Sequence, residues 1–263
     1  MKPTAPLLEV KGVTLQYKTP DHLVTATYRI DFEVFEAERF ILLGPSGCGK
    51  STALRLIAGL SAPTSGSIGV SRPAGETRAA NSIGFVFQEP TLMPWTSVRE
   101  NVRLPLKLAH MPAAEANARI HEALTQVGLS EFADAYPREL SGGMKMRVSL
   151  ARALVTDPDI LLMDEPFAAL DEITRFRLNN DLLALWRNLR KTVIFVTHSV
   201  FESVYLSQRV IVMTQRPGRI GAEISIDAPE PRGEDFRTSP EYAGLCRKVS
   251  HALASLHPGQ PGS

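Results

Sequence analysis

Short apolar runs, each followed by a polar or glycine-bearing turn, recur along this chain. Four of them, at residues 40–43, 83–87, 160–163 and 193–196, contain only four or five residues each. Runs of this length are too short for core helices and are typical of parallel strands that are buried on both faces. Because helical patterns lie between them, the chain is predicted to fold as an α/β protein with a mainly parallel sheet.

Two other patterns accompany these strands. Ahead of the first run, apolar residues are spaced as in antiparallel strands, at Val10, Val13, Leu15 and Tyr17. Between residues 89 and 158 the strand-like runs stop, and residues 115–127 place apolar side chains near helical spacing. The sequence therefore predicts an N-terminal antiparallel β subdomain and a helical subdomain inserted into the sheet domain.

The remaining chain continues with a hairpin and a helix. Residues 210–213 and 220–226 are strand-like runs joined by the turn Arg216-Pro217-Gly218, and residues 240–256 form the last predicted helix. The whole chain is thus predicted to be one domain. Residues 1–88 and 158–256 form its core with the antiparallel β subdomain, residues 89–157 the helical subdomain, and residues 257–263 a disordered tail rich in Pro and Gly.

Composition narrows the possible functions. Lys and Arg number 29 against 28 Asp and Glu, so the formal net charge is +1 and a strongly basic nucleic-acid-binding face is not expected. Cys48 and Cys246 have no metal-ligand spacing. No secretory signal opens the sequence, and no apolar run approaches the roughly 20 residues of a membrane span. We therefore expect an intracellular protein whose membrane role would come from its partners.

The strongest motif follows the apolar strand at residues 40–43 and precedes a helical pattern. It matches the phosphate-loop pattern G-x-x-x-x-G-K-[ST] of P-loop nucleotide-binding proteins. With the next threonine, the predicted nucleotide-binding residues are Gly44, Pro45, Ser46, Gly47, Cys48, Gly49, Lys50, Ser51 and Thr52. Backbone N–H groups and the helix N-terminus attract phosphate, and Lys50 adds a full charge at the β- and γ-phosphates. Ser51 is predicted to hold Mg²⁺; a chance glycine-rich turn is the alternative interpretation.

Two carboxylates end the apolar strand at residues 160–163. A buried strand tolerates Asp164 and Glu165 only where they have something to bind, or where they cap the strand end. Asp164 is predicted to hold Mg²⁺. Glu165 points away from Asp164 if the strand continues, and is predicted to orient or deprotonate the water that attacks the phosphate.

A second glycine motif, Ser141-Gly142-Gly143, precedes a helical stretch that continues to residue 154. Its N–H groups are placed to bind an anion, although the same residues also make an adequate helix cap. Because the phosphate loop already surrounds one nucleotide, both anion sites serve the same molecule only if two copies pack head to tail about a two-fold axis. The pattern predicts a homodimer with two nucleotides in its interface.

With this Ser-Gly-Gly signature between the phosphate loop and the Asp-Glu strand, the chain resembles the ATP-binding subunits of ABC transporters. The resemblance implies that Tyr17 stacks on adenine and that Gln88 reaches Mg²⁺ and the attacking water. It also implies that the Ser-Gly-Gly motif binds the γ-phosphate held by the other copy, that Asp171 crosses the dimer contact, and that His198 touches the γ-phosphate. An ordinary role stays open for each of these four side chains: strand packing for Tyr17, a strand end for Gln88, a helix N-cap for Asp171 and a turn for His198.

Two positions depart from the family pattern. Met144 stands where the family usually has Gln after Ser-Gly-Gly, and Lys145 follows it. Backbone donors are unaffected, so only the side-chain hydrogen bonds of the usual Gln are in doubt. Cys48 is interpreted as small loop filler, with a reactive thiol as the alternative. The apolar segment at residues 90–95 is interpreted either as a docking groove for a membrane subunit or as internal packing.

Within the family, residues 87–95, 141–144 and 170–175 look most like importers of nitrate, sulfonates and taurine. This likeness implies an ATP hydrolase, peripheral on the cytoplasmic face of the inner membrane. It would work with a second copy, two transmembrane permease subunits and, indirectly, a solute-binding protein. The rival interpretations are an ATPase subunit of a lipid or lipoprotein exporter, which shares every catalytic residue, and a soluble ABC ATPase acting on nucleic acid or ribosomes. Against the soluble ATPase stand a single set of motifs and the lack of zinc modules or long coiled coils.

Overall fold

The computed structural model describes residues 5–18, 22–71 and 83–257. Within these residues the strands are Leu8–Lys18 (β1), Leu23–Val34 (β2), Arg39–Leu43 (β3), Ser65–Val70 (β4), Ile83–Val86 (β5), Ile160–Asp164 (β6), Thr192–Thr197 (β7), Arg209–Met213 (β8) and Ile220–Ser225 (β9). The α-helices are Lys50–Ile57 (α1), Val98–Leu108 (α2), Ala113–Gln126 (α3), Gly142–Leu154 (α4), Glu172–Leu189 (α5), Val200–Leu206 (α6), Glu234–Arg237 (α7) and Pro240–Leu256 (α8). Two 3₁₀ helices, Ser130–Phe132 and Pro137–Glu139, lie between α3 and α4.

Internal contacts divide the described residues into two units, one within residues 1–77 and 192–263 and the other within residues 78–191. In the first unit, β1 pairs antiparallel with β2 and β4, in the order β2-β1-β4. In the same unit, β3 pairs in parallel with both β7 and β8, and β9 is antiparallel to β8. The predicted antiparallel subdomain, mainly parallel α/β sheet and C-terminal hairpin are confirmed.

Burial explains why the two kinds of strand differ in sequence. All residues of β3 and β7 are buried, so both faces need apolar side chains and the sequence shows continuous apolar runs. In β2, by contrast, Ile30, Phe32 and Val34 are buried while the residues between them are exposed. This alternation is typical of an antiparallel strand with one face in water.

The second unit combines a pair of strands with helices. β5 pairs in parallel with β6, and α4 contacts α2, α3 and α5. The helix expected at residues 115–127 is α3, and the helix after Ser141 ends at Leu154, as expected. β5 ends at Val86, one residue before the predicted limit. The subdomain limits at residues 89 and 157 stay a prediction.

Two expectations concern the ends of the chain and the membrane. Residues 258–263 of the predicted tail lie outside the described residues, whereas His257 places its ring Nε2 3.0 Å from the carbonyl oxygen of Met213. In the described ranges, every helix is too short or too polar to cross a lipid bilayer.

Candidate functional site

The phosphate loop connects the carboxyl end of β3 to α1. Lys50, the first residue of α1, is only 3% exposed. Its Nζ donates hydrogen bonds to the carbonyl oxygens of Gly44 at 2.7 Å and Pro45 at 3.0 Å. The ammonium group is therefore held against the loop by backbone oxygens, where its charge acts on whatever the loop binds.

Gly49 sets the geometry at the start of α1. Its φ is 100°, and a Cβ at this position would lie 2.8 Å from the carbonyl oxygen of Ala26. No side chain caps this helix, and its first turn holds no acidic residue. The start of α1 therefore carries the positive end of the helix dipole with no acidic side chain of its first turn to offset it, which favours an anion there. Cys48 is fully buried, in keeping with the loop-filler interpretation.

Two more predicted residues lie in the same unit. Leu43 pairs with Thr197, so His198 and the phosphate loop begin at the same edge of the parallel sheet. Tyr17 pairs with Val24, which lies two residues before Ala26, the residue that faces Gly49. The Tyr17 side chain is 45% exposed. Tyr17 thus lies beside the part of β2 that approaches Gly49, and His198 follows the strand that pairs with β3. The contacts of both residues with nucleotide stay predictions.

A buried carboxylate fixes the backbone around His198. Glu202, 8% exposed, accepts a hydrogen bond from Oγ1 of Thr197 at 2.5 Å. That Thr197 oxygen also accepts from the N–H of Ser199 at 3.0 Å, and Oγ of Ser199 accepts from the N–H of Glu202 at 3.3 Å. Sequence reasoning missed Glu202, although Ser followed three residues later by Glu is a capping-box signal that was available.

The strand pair of the second unit brings three predicted residues together. Val86 pairs with Met163, so Gln88, Asp164 and Glu165 all follow the same edge of this pair. Asp164 closes β6 and is 8% exposed, while Gln88 is exposed. The strand does not continue through Glu165, which adopts a φ of 44°. The expectation that strand alternation turns Glu165 away from Asp164 therefore does not apply here.

The side chains predicted to hold Mg²⁺ have the chemistry that this ion prefers. Among the residues that the structure describes, no cluster of three or more His, Cys, Asp or Glu side chains could hold a metal by itself. Ser51, Gln88 and Asp164 instead offer hard oxygen donors. Such a set fits Mg²⁺, which commonly takes one or two carboxylates and completes its shell with phosphate and water.

The Ser-Gly-Gly motif forms the N-terminus of α4. Oγ of Ser141 accepts a hydrogen bond from the N–H of Met144 at 3.3 Å, which confirms the helix-cap interpretation. Ser141 and Gly142 are exposed. Because the cap uses the N–H of the third helical residue, the N–H groups of Gly142 and Gly143 are not taken up by it. Capping and anion binding are thus compatible at this position.

Asp171 lies beside this motif. Its Oδ1 accepts a hydrogen bond from the N–H of Thr174 at 2.9 Å, and it is the N-cap of α5. This hydrogen bond lowers the pKa of the Asp171 carboxyl below its ordinary value. A Cβ on Gly142 would lie 3.2 Å from Leu170, and one on Gly143 3.0 Å from Thr174. The N-termini of α4 and α5 therefore meet at one edge of the second unit.

Arg152, near the end of α4, binds the segment that follows Gln88. Its guanidinium donates to the carbonyl oxygens of Pro90 at 2.8 Å and Thr91 at 2.9 Å, and to Oγ1 of Thr91 at 2.9 Å. Burial lowers the pKa of Arg152. The contact links the Gln88 segment to the helix that begins with Ser-Gly-Gly. Sequence reasoning missed it because the partners are 61 residues or more apart.

The segment at residues 93–97 is held from α2 by a single amide. Asn101 is fully buried, and its Oδ1 accepts from the N–H of Met93 at 2.7 Å. Its Nδ2 lies within 3.0–3.3 Å of oxygen atoms of Met93, Thr96 and Ser97. Trp95, inside this segment, is 74% exposed. A large apolar side chain is thus presented to solvent on a fixed backbone.

Comparison with known proteins gave one family match and many relatives. The family model described as "ABC transporter" matches residues 28–168. An uncharacterized ABC transporter ATP-binding protein of Methanocaldococcus jannaschii is 47% identical over 94% of this chain and 91% of its own length. The taurine import ATP-binding protein of Rhizobium johnstonii is 44% identical over 88% of this chain and 90% of its own length. The nitrate import ATP-binding protein of a Synechocystis species is 42% identical, covering 88% of each chain.

A solved structure is also similar. It is the dimeric post-hydrolysis state of an ATP-binding cassette bound to ADP and Pi, which matches with a TM-score of 0.72 and 32% identity. The match covers 84% of this chain and all of the other.

Proposed function

We propose, because this chain belongs to the ABC transporter family, that it is the ATP-binding and ATP-hydrolysing subunit of an importer for a small solute such as nitrate, a sulfonate or taurine. The observation that carries the proposal is the phosphate loop, in which the buried Lys50 and an uncapped helix N-terminus converge. The solute class rests on the relatives named for taurine and nitrate import.

ATP binds at the loop of residues 44–52. Lys50 and the N–H groups at the start of α1 bind the β- and γ-phosphates, where helix dipole and ammonium charge add. Tyr17, partly exposed, stacks on the adenine ring. Ser51, Gln88 and Asp164 would hold Mg²⁺, which supplies positive charge to the transferred phosphoryl group.

Hydrolysis needs a water molecule that is held and deprotonated. Glu165 takes the proton of the attacking water, Gln88 orients that water, and His198 donates to the γ-phosphate. The hydrogen bonds among Thr197, Ser199 and Glu202 hold the backbone of His198 in place. Phosphoryl transfer requires little covalent chemistry from the protein, so positioning of this kind is its main contribution.

A second copy completes the site. The exposed Ser141 and Gly142, together with the buried Gly143, bind the γ-phosphate held by the loop of the other copy, and Asp171 lies in the same contact. The similar cassette bound to ADP and Pi is dimeric, which supports this arrangement. ATP joins the copies and hydrolysis removes the shared γ-phosphate, so the dimer alternates between a closed and an open state.

The opening and closing of the dimer drives conformational change in membrane-spanning partners. Each of two permease subunits docks on the segment that exposes Trp95 in one of the two copies, and a solute-binding protein delivers the solute to the permease. The exposure of Trp95 favours the docking interpretation of residues 90–95 over internal packing. This arrangement places the chain peripherally, on the cytoplasmic face of the membrane.

The partners and the transported solute test the proposal. An affinity-tagged chain should copurify with a permease. In vesicles, the complex should move nitrate or taurine toward the side of this subunit when ATP is present on that side and the solute-binding protein is present on the other. Trp95→Ala should keep ATP binding but lose solute-stimulated hydrolysis, because the contact with the permease is lost. Leu108→Ala removes a similarly exposed side chain, 71% exposed at the end of α2, and should change neither. Copurification with a lipid-exporting permease, or with ribosomes or nucleic acid, would contradict the importer assignment.

A further inference from the structure

The turn between β8 and β9 packs directly on the phosphate loop. The N–H of Gly218 donates to the carbonyl oxygen of Ala26 at 3.0 Å, and the carbonyl of Gly218 accepts from the N–H of Tyr28 at 2.9 Å. A Cβ on Gly218 would lie 2.0 Å from the carbonyl oxygen of Cys48. Backbone therefore touches backbone here, and the turn has a fixed position relative to the loop.

The turn is also held from within. The N–H of Thr214 donates to the carbonyl of Arg219 at 2.9 Å, and Oγ1 of Thr214 accepts from the N–H of Arg219 at 3.1 Å. The same hydroxyl donates to the carbonyl oxygen of Pro217 at 3.2 Å. Thr214 thus joins the two sides of the turn through its backbone and its hydroxyl, and these hydrogen bonds restrict the residues between them.

Arg216 lies at this tip, next to the phosphate loop. Its Nη2 is 3.4 Å from the position of a Cβ on Gly47, and its Nε is 4.0 Å away. The side chain is exposed, and Gly47 itself has a φ of 75°. A planar guanidinium at this position brings a second cation to a loop that already holds Lys50. Two cations at one loop repel each other, and a bound anion that attracts both offsets this repulsion.

A second arginine in the same turn has a different environment. The guanidinium of Arg219 lies 4.3 Å from the ring centroid of Tyr28, in a cation–π contact. Arg219 is exposed like Arg216 but contacts an aromatic ring instead of the phosphate loop. The turn therefore contains a matched internal control.

We infer that Arg216 binds the polyphosphate of the nucleotide held by residues 44–52, which makes the β8–β9 turn part of the nucleotide site. Guanidinium groups suit phosphate because their N–H donors match its oxygens in pairs. The inference rests on the proposed function, since it needs a nucleotide in the loop. It adds a contact from outside the sequence motifs, at a position where the sequence indicated only a hairpin turn.

Affinity for fluorescently labelled ADP, titrated with Mg²⁺ present, tests the inference without reference to turnover. Arg216→Gln should weaken binding about tenfold, corresponding to about 1.4 kcal/mol. Arg216→Lys should recover part of this loss, because it keeps the charge but loses the paired donors. Arg219→Gln should bind like the wild type. Affinity should also depend less on salt in Arg216→Gln than in the wild type, because one charge is missing.

The outcomes of these titrations separate a failure of the Arg216 inference from a failure of the proposed function. Affinity within about twofold of wild type in Arg216→Gln, or an equal loss in Arg219→Gln, would overturn the inference. A wild-type chain that fails to bind the labelled nucleotide would contradict the proposed function instead. Thermal unfolding of each variant without nucleotide shows whether the fold is intact, and the exposure of both side chains predicts that it is.

Discussion

The phosphate loop and the Ser141–Gly143 motif are both glycine-containing helix N-termini, yet they differ in how far one chain completes them. In the first, Lys50 is buried, held by carbonyl oxygens, and adjoined by the β8–β9 turn. In the second, Ser141 and Gly142 are exposed, and the capping side chain is uncharged. From this difference we predict that one chain suffices to bind nucleotide at the loop, whereas the second motif binds only a ligand that another copy presents.

Replacing Lys50 or Lys145, one near the start of each helix, by alanine gives the largest expected difference between the two sites. Lys50→Ala should weaken MgATP binding about 30-fold or more, because loss of a buried charged partner costs ~2–5 kcal/mol. Lys145→Ala, near the start of α4, should leave the affinity of the isolated chain unchanged. Calorimetric titration of both variants measures this, and equal losses would show that the two helix starts contribute alike.

Trapping the bound state separates binding from turnover. Glu165→Gln should bind ATP with wild-type affinity but hydrolyse it about 100-fold more slowly, since general-base catalysis contributes about 10²–10⁴-fold. It should also accumulate as a dimer on size-exclusion chromatography when ATP is present. Wild-type turnover in this variant would contradict the role assigned to Glu165.

Removal of the cap at the second motif should affect assembly without affecting binding. Ser141→Ala in the Glu165→Gln background should reduce the ATP-dependent dimer while the nucleotide affinity of the monomer stays the same. The lost cap should also lower the free energy of unfolding by about 1 kcal/mol. Ser239→Ala removes the cap of α8, where Oγ accepts from the N–H of Tyr242 at 3.1 Å and also donates to the carbonyl oxygen of Phe236 at 2.7 Å, and should cost at least as much stability without loss of dimer.

Asp171 gives the smallest effect, because it is exposed to solvent. Its pKa is lowered in the folded chain by the hydrogen bonds from Thr174, so the ionised form stabilises the fold. This stabilisation is complete above the ordinary carboxyl pKa and is lost as the pH falls through the lowered folded value. Asn caps a helix nearly as well as Asp, so the stability difference between wild type and Asp171→Asn should be small at pH 7 and vanish in acid. Urea unfolding at several pH values measures it, and a difference that grows on acidification would contradict the assignment.

Local patterns predicted much of this structure. The apolar runs within β3 and β7 needed no tertiary information, because strands buried on both faces have continuous apolar centres. The last helix was predicted with its observed limits, from Pro240 to Leu256. The ABC family and the α/β fold with an antiparallel subdomain, both expected from motifs, are likewise confirmed.

Other features left no local sign. β4, with the sequence Ser-Gly-Ser-Ile-Gly-Val, contains no buried residue, so no hydrophobic alternation indicated a strand. The positive φ of Glu165 ends β6 where alternation would have continued. The hydrogen bonds of Arg152 to Pro90 and Thr91, and the approach of Arg216 to Gly47, join residues far apart in the chain. Such contacts depend on the folded topology rather than on periodicity.

The hydrogen bonds of the Asn101 amide determine how a partner bound to Trp95 would act on α2. The Asn101 side chain joins residues 93–97 to α2 through several hydrogen bonds, so the backbone that carries Trp95 is held in place. A protein that grips this indole would lose little conformational entropy in ordering the loop. When such a partner moves Trp95, the hydrogen bonds of Asn101 would pass that movement directly to α2.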